Sequence, residues 1–223
     1  VQERDAAGNW SSSGSRTIVI DNTAPTVSGV AITSATGVQN NFVNAGDVVS
    51  VTATFRENVS VVAGTPQLTL VVGTTDRTAT YTSGSGGTAL VFQYTIQAGE
   101  TDSNGISIEA NVLALNSGTI SDAAGNNATL THSAVSANSS YMVDTTAPTA
   151  NFTAATDDVG TVTGTLSSGD TTNDTALVLS GTNESGSSVK VYNGSTELGA
   201  ATVSGTGWIY DSATVADSTT YQF

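Results

Sequence analysis

The sequence predicts an all-β chain of tandem β-sandwich modules, one complete and two partial. Three observations carry this: short runs of alternating apolar and polar residues, turn-forming stretches between them, and a pair of tags that occurs twice in the same order. The tags are Asp5-Ala6-Ala7-Gly8-Asn9 followed by Asp21-Asn22-Thr23-Ala24-Pro25. They return as Asp122-Ala123-Ala124-Gly125-Asn126 followed by Asp144-Thr145-Thr146-Ala147-Pro148.

Alternation is clearest over residues 47–55, where Val49, Val51, Ala53 and Phe55 share one face and Ser50, Thr52 and Thr54 lie on the other. Over 90–96, Leu90, Phe92, Tyr94 and Ile96 repeat the pattern. A period of two puts successive side chains on opposite faces of a strand, and no segment carries a helical stripe. Shorter strands are predicted at 17–20, 27–33, 67–72, 78–82, 106–109, 140–143, 176–180, 189–192 and 206–210, each rich in β-branched or aromatic residues. Asn193-Gly194 between two such runs predicts a tight hairpin.

The module boundaries are placed at the two prolines, since proline lacks an N–H and holds its predecessor extended. Residues 1–25 read as the C-terminal end of a preceding module with its linker. Residues 26–148 read as a complete module plus linker, and 149–223 as the N-terminal part of a following module. The ending Thr219-Thr220-Tyr221-Gln222-Phe223 reads as a strand that would run into a segment such as Val1-Gln2-Glu3-Arg4-Asp5, so the two partial ends belong to one module type. The last module is expected to leave sheet edges unpaired.

Composition narrows the function. Nineteen acidic residues against five basic ones give a formal charge of −14, which argues against binding a nucleic-acid backbone. An acidic surface suits divalent cations or a saline exterior. The absence of cysteine removes disulfides, cysteine-ligated zinc and thiol nucleophiles. No apolar run reaches the roughly twenty residues of a membrane-spanning helix, so no direct membrane insertion is expected of this segment. The first residue is Val1, and the chain reads as excised from something longer.

The Asp-Ala-Ala-Gly-Asn turn, the Asp-Thr-Thr-Ala-Pro linker and the Asp157-Asp158-Val159-Gly160 opening resemble the bacterial immunoglobulin-like repeats of large Gram-negative surface adhesins of the RTX and biofilm-associated type. The resemblance covers essentially the whole chain; Asn22 departs from the more usual Thr. It implies tandem immunoglobulin-like sandwiches acting as a structural extender, stiffened by Ca²⁺ near the module junctions. The parent protein would be secreted or anchored at the cell surface and serve adhesion or biofilm formation. Partners would be neighbouring modules of the same chain, with a host or biofilm ligand bound elsewhere in the parent. The alternative is a ligand-binding module, for glycan or ice, at an adhesin tip.

Calcium takes six to eight hard oxygen ligands, which clustered Asp and Asn side chains supply. Asp122 and Asn126 flank Gly125, whose turn folds both side chains inward. With Asp144 before the linker and Asp157, Asp158 and Asp174 after it, they are expected to form one site across Pro148. Asp5, Asn9 and Asp21 are the expected N-terminal counterpart. The competing reading makes these residues metal-free Asx turns and caps. Catalysis is not expected. His132 is the only histidine, it has no Gly-Xaa-Ser-Xaa-Gly elbow, and it reads as a strand or edge residue. Asp102 reads as an ordinary turn residue and Trp208 as a core or edge anchor.

Overall fold

Strands make up all the regular structure among the described residues of the computed structural model, which are 1–161, 163–216 and 219–223. The chain divides into two compact units, Val1–Thr146 and Ala147–Phe223.

Unit 1 opens its sandwich with β1 (Val27–Ala35), β2 (Phe42–Val43) and the long β3 (Val48–Val62). Two hairpin strands follow, β4 (Gln67–Val72) and β5 (Thr75–Ser83), and then β6 (Gly87–Thr95). Short segments complete it: β7 (Thr101–Asp102), β8 (Leu113–Ala114), β9 (Thr119–Ser121) and β10 (Met142–Asp144). The larger sheet runs β1-β3-β6-β5-β4-β8, with β9 also on β3; the smaller runs β2-β10-β7. The predicted alternation sets the register. Val49, Val51, Ala53 and Phe55 of β3 are buried, as are Leu90 and Phe92 of β6, and Val51 pairs directly with Phe92. Burying a side chain of that size is worth about 2–3 kcal/mol. From the smaller sheet, Val43 and Val143 close the same core.

Buried polar groups in unit 1 are all answered. Asp102 is buried and accepts from the N–H groups of Gly73 (2.8 Å), Asn104 (3.2 Å) and Gly105 (2.9 Å), so it organises a loop from inside rather than capping an ordinary surface turn. Buried Glu100 pairs with Arg77 and accepts from the Tyr94 hydroxyl (2.5 Å) and the Gln97 N–H (2.9 Å). Burial and the bond to Glu100 push the Tyr94 hydroxyl up to about 12. His132 is also buried. Its Nε2 accepts from the Val112 N–H at 3.0 Å, which leaves Nδ1 to donate to the Ser133 carbonyl at 2.9 Å. It is a satisfied interior residue.

Unit 2 consists of β11 (Ala150–Asp157), β12 (Gly164–Leu166), β13 (Ala176–Asn183), β14 (Lys190–Asn193), β15 (Thr196–Ala200), β16 (Thr202–Ser204) and β17 (Gly207–Thr214). One sheet runs β12-β11-β13-β17-β16 and the other is the β14-β15 hairpin. Asn193 is itself paired, with Thr196, so the two-residue turn is Gly194-Ser195, one residue on from the predicted Asn193-Gly194. The core is small: Ala155, Leu177, Leu179, Val189, Val191, Trp208 and Ala213. Trp208 lies against Gly181, where a Cβ would fall 2.5 Å from the indole nitrogen, so only glycine leaves room for the ring.

Candidate metal centre

The turn at Asp122–Asn126 is built by its own residues. Asp122 N–H donates to the Asn126 carbonyl at 3.1 Å, and Gly125 N–H to the Asp122 carbonyl at 3.3 Å. The Asp122 carboxylate then accepts twice from Asn126, from the main-chain N–H (2.8 Å) and from Nδ2 (2.8 Å). Gly125 has φ of +92°, and nothing lies within 4 Å of a Cβ built there. It is needed for its backbone conformation, not for space. The bonds from Asn126 hold the Asp122 carboxyl below its ordinary value.

Tertiary structure then adds two carboxylates. Strand β9 pairs with β3 through Ser60–Ser121 and buries Ile120, which anchors the turn to the sandwich. Asn126 Nδ2 also donates to the Asp21 carbonyl at 3.1 Å and fastens the segment before Pro25. Carboxylate oxygens of Asp21, Glu57 and Asp122 all lie within 4.8 Å of one another. Asp122 is buried, Glu57 half-buried and Asp21 exposed. The ion pairs among the described residues are Arg77–Glu100 and Lys190–Glu197, so neither pairs a cation with this trio.

Three converging hard oxygens without a cationic side chain fit Ca²⁺, whose remaining positions water fills. They fit Mg²⁺ less well, since it demands octahedral geometry and holds its own waters. The donor set has no nitrogen or sulfur to favour zinc. A cation held by these oxygens would neutralise their mutual repulsion.

The other expected ligands are placed differently. Asp5–Asn9 reproduces the turn, with Asn9 N–H and Nδ2 donating to the Asp5 carboxylate at 2.8 and 3.0 Å and Gly8 at φ +91°. Asn9 also holds the Asp5 carboxyl below its ordinary value. That turn is exposed, and Asp21 joins Asp122 and Glu57 rather than Asp5.

The expected grouping of Asp122 and Asn126 with Asp144 does not hold either. Asp144 pairs with Thr101, and the adjacent Thr145 hydroxyl donates to the Glu100 carbonyl. These residues lie beside the start of β3, where Val48 pairs with Thr95. Glu57 lies nine residues along β3, so the two ends are roughly 30 Å apart at ~3.3 Å per residue. Asp144 itself accepts from the Thr146 N–H at 2.9 Å, an Asx turn leading into the linker.

Asp157, Asp158 and Asp174 belong to unit 2, where two of them form a clasp. Buried Asp157 accepts from Val159 N–H (2.9 Å) and from the Thr172 hydroxyl (2.6 Å). Buried Asp174 accepts from Ala176 N–H (2.8 Å) and Asp158 N–H (3.3 Å), and its own N–H donates to Thr172 Oγ1 (2.9 Å). Each oxygen of these two carboxylates has a protein donor, as in Asp122, but among the described residues they do not converge with a third acidic side chain as Asp122 does.

Glu57 is the residue that sequence reasoning missed. Its signal is faint: an acid in Arg56-Glu57-Asn58, where the apolar alternation of β3 breaks. Trp208 is buried as expected, while exposed Trp10 carries the Arg4 guanidinium 5.6 Å from its ring centre. Set against protein-family models, curated proteins and solved structures, the chain matches none.

Proposed function

We propose that the chain is a spacer segment of a bacterial surface adhesin, made of immunoglobulin-like sandwich modules and stabilised by calcium where a linker enters a module. The observation that carries the calcium reading is the convergence of Asp21, Glu57 and Asp122 within 4.8 Å without a pairing cation. Asp21 belongs to the segment before Pro25, Glu57 to a core strand and Asp122 to the repeated turn. An ion shared by the three ties the linker to the sandwich and restricts bending where Asp21 precedes it. The repeated tags and the strongly acidic surface support the same reading, as spacers recur along a chain and extracellular calcium is abundant.

Extracellular modules hold calcium at about 10⁻⁴–10⁻³ M. At a tenfold to hundredfold excess over such a constant, binding stabilises the module by about 1.4–2.7 kcal/mol. Calorimetry in about 10 mM calcium should therefore place the unit 1 transition about 5 °C above its value in EDTA. Small-angle scattering should show a larger radius of gyration with calcium than with chelator. Superimposable melts and scattering curves in the two buffers would remove calcium from the proposal.

A further inference from the structure

Unit 1 turns one face of its larger sheet away from the core, and that face is almost without charge in a chain of net charge −14. Ser50, Gln93, Thr80 and Gln67 form one row across β3, β6, β5 and β4. Ala31, Thr52 and Val91 form a second across β1, β3 and β6. Each alternates along its strand with a buried residue such as Ile32, Val51, Phe92, Ala79 or Leu68, which fixes it on the outer side. The polar side chains here bond within the face. Thr33 Oγ1 lies 3.1 Å from Thr52 Oγ1, Gln93 Nε2 donates to Ser50 Oγ at 3.2 Å, and Thr82 Oγ1 donates to the Val91 carbonyl at 3.2 Å. Covering them costs less than covering groups that bond only to water.

The charged residues of β1, β3, β4, β5 and β6 are Arg56, Glu57, Asp76 and Arg77. Glu57 and Arg77 turn to the other side, towards Asp122 and Glu100. Arg56 and Asp76 stay on the outer face. Both are exposed, and neither belongs to an ion pair among the described residues. Strands β3 and β5 run the same way, since both are antiparallel to β6. Arg56 lies beyond Ser50 on β3 and Asp76 ahead of Thr80 on β5, so the two charges mark opposite ends of the face. They are about 33 Å apart along the strands and about 10 Å across them, with Val91 on β6 near the midpoint.

We propose that two copies of the chain associate through this face of unit 1, packed antiparallel about a two-fold axis that passes near Val91. The axis brings Arg56 of each copy onto Asp76 of the other and lays the uncharged rows against each other. With Asp76 as its one acid, the face meets a second copy without the repulsion that an acidic chain otherwise presents to itself. Five strands about 4.8 Å apart and about 20 Å long cover roughly 500 Å² of each copy. That is below the ~800 Å² per partner of a standard interface, so the pairing is weak. Where such modules recur along a chain, weak contacts of this kind add up between neighbouring chains. The pairing is independent of calcium.

Sedimentation velocity of the full chain in EDTA, from about 10 μM to about 1 mM, tests this. The unsubstituted chain should pass from monomer to dimer over that range. Gln93→Glu sets a charge in the middle of each face and should weaken association about tenfold or more. Gln93 is exposed, so the unit 1 melting transition should stay in place and show the variant folded. Arg56→Asp and Asp76→Arg should each leave a monomer, because like charges then meet at both ends of the pair. An equimolar mixture of those two variants should associate again, since each supplies the charge that the other lacks. A chain that stays monomeric up to about 1 mM, even one that binds a neutral polysaccharide such as dextran instead, would overturn the inference. So would association that Gln93→Glu leaves unchanged, or a mixture of the two charge variants that stays monomeric.

Discussion

The two copies of Asp-Ala-Ala-Gly-Asn have the same internal geometry and different surroundings. In both, asparagine donates twice to aspartate, the glycine sits near φ +91°, and the aspartate titrates below its usual value. Only Asp122 has a buried isoleucine just before it and two further carboxylates nearby. Five residues are enough to make the turn; gathering further carboxylates around it requires a strand and a linker brought from elsewhere in the chain.

The largest expected effect comes from the anchor. Ile120→Ala should destabilise unit 1 by about 3 kcal/mol, through lost burial and the cavity it leaves. The first copy has Glu3 at the matching position and no such anchor. Calorimetry resolves the unit 1 transition, while Trp208 emission follows unit 2. A loss below about 1 kcal/mol would mean that the turn is not held by β9.

A smaller effect separates turn from context. Gly125→Ala forces a side chain into a left-handed backbone conformation and should cost unit 1 about 1–2 kcal/mol. Gly8→Ala strains the same turn without moving either melting transition, because that segment is exposed. Equal effects from the two substitutions would show that residues 1–20 contribute to the stability of unit 1.

The smallest effect is protonation. In chelator, both Asp5 and Asp122 should titrate below the 3.8 of a free aspartate, as followed by carboxyl NMR shifts. A lowered folded value means that the unfolded chain binds the proton more readily. Asp122 therefore stabilises unit 1 above about pH 4, and this contribution is lost as pH falls through the lower folded value. Asp5 should show the same titration with no effect on melting.

Much of the fold could be read from local pattern. Val49, Val51, Ala53 and Phe55 alternate because one face of β3 meets the core, and Gln67–Val72 forms the strand predicted at 67–72. The hairpin at Gly194 follows from turn chemistry. By contrast, 17–20 forms no strand despite its β-branched residues, since propensity without a partner leaves a strand unpaired. Residues 106–109 contribute only isolated bridges through Ser107 and Ile108.

The site was legible in part. Asp21, Asp122 and Asn126 stand out because turn and linker recur. Glu57 does not, because its proximity to them arises from the β3–β9 pairing, which no local pattern encodes. The assignment of Asp144 to Asp122 failed for the same reason: nearness in sequence around the linker says nothing about which pole of a sandwich a residue occupies. Asp157 and Asp174 read as ligands in the sequence because they are acids close together around Thr172; in the structure they hold loop N–H groups and a hydroxyl and gather no third carboxylate.

Isothermal titration of the calcium-free chain, unsubstituted and with Glu57→Gln, tests the proposed calcium site most directly. Glu57 contributes a carboxylate to the trio but makes none of the turn's hydrogen bonds, so the substitution removes a ligand and leaves the Asp122–Asn126 geometry intact. The account predicts saturable binding by the unsubstituted chain near 10⁻⁴–10⁻³ M, weakened about tenfold or more by the substitution. Identical isotherms for the two chains, or no heat of binding in either, would contradict it.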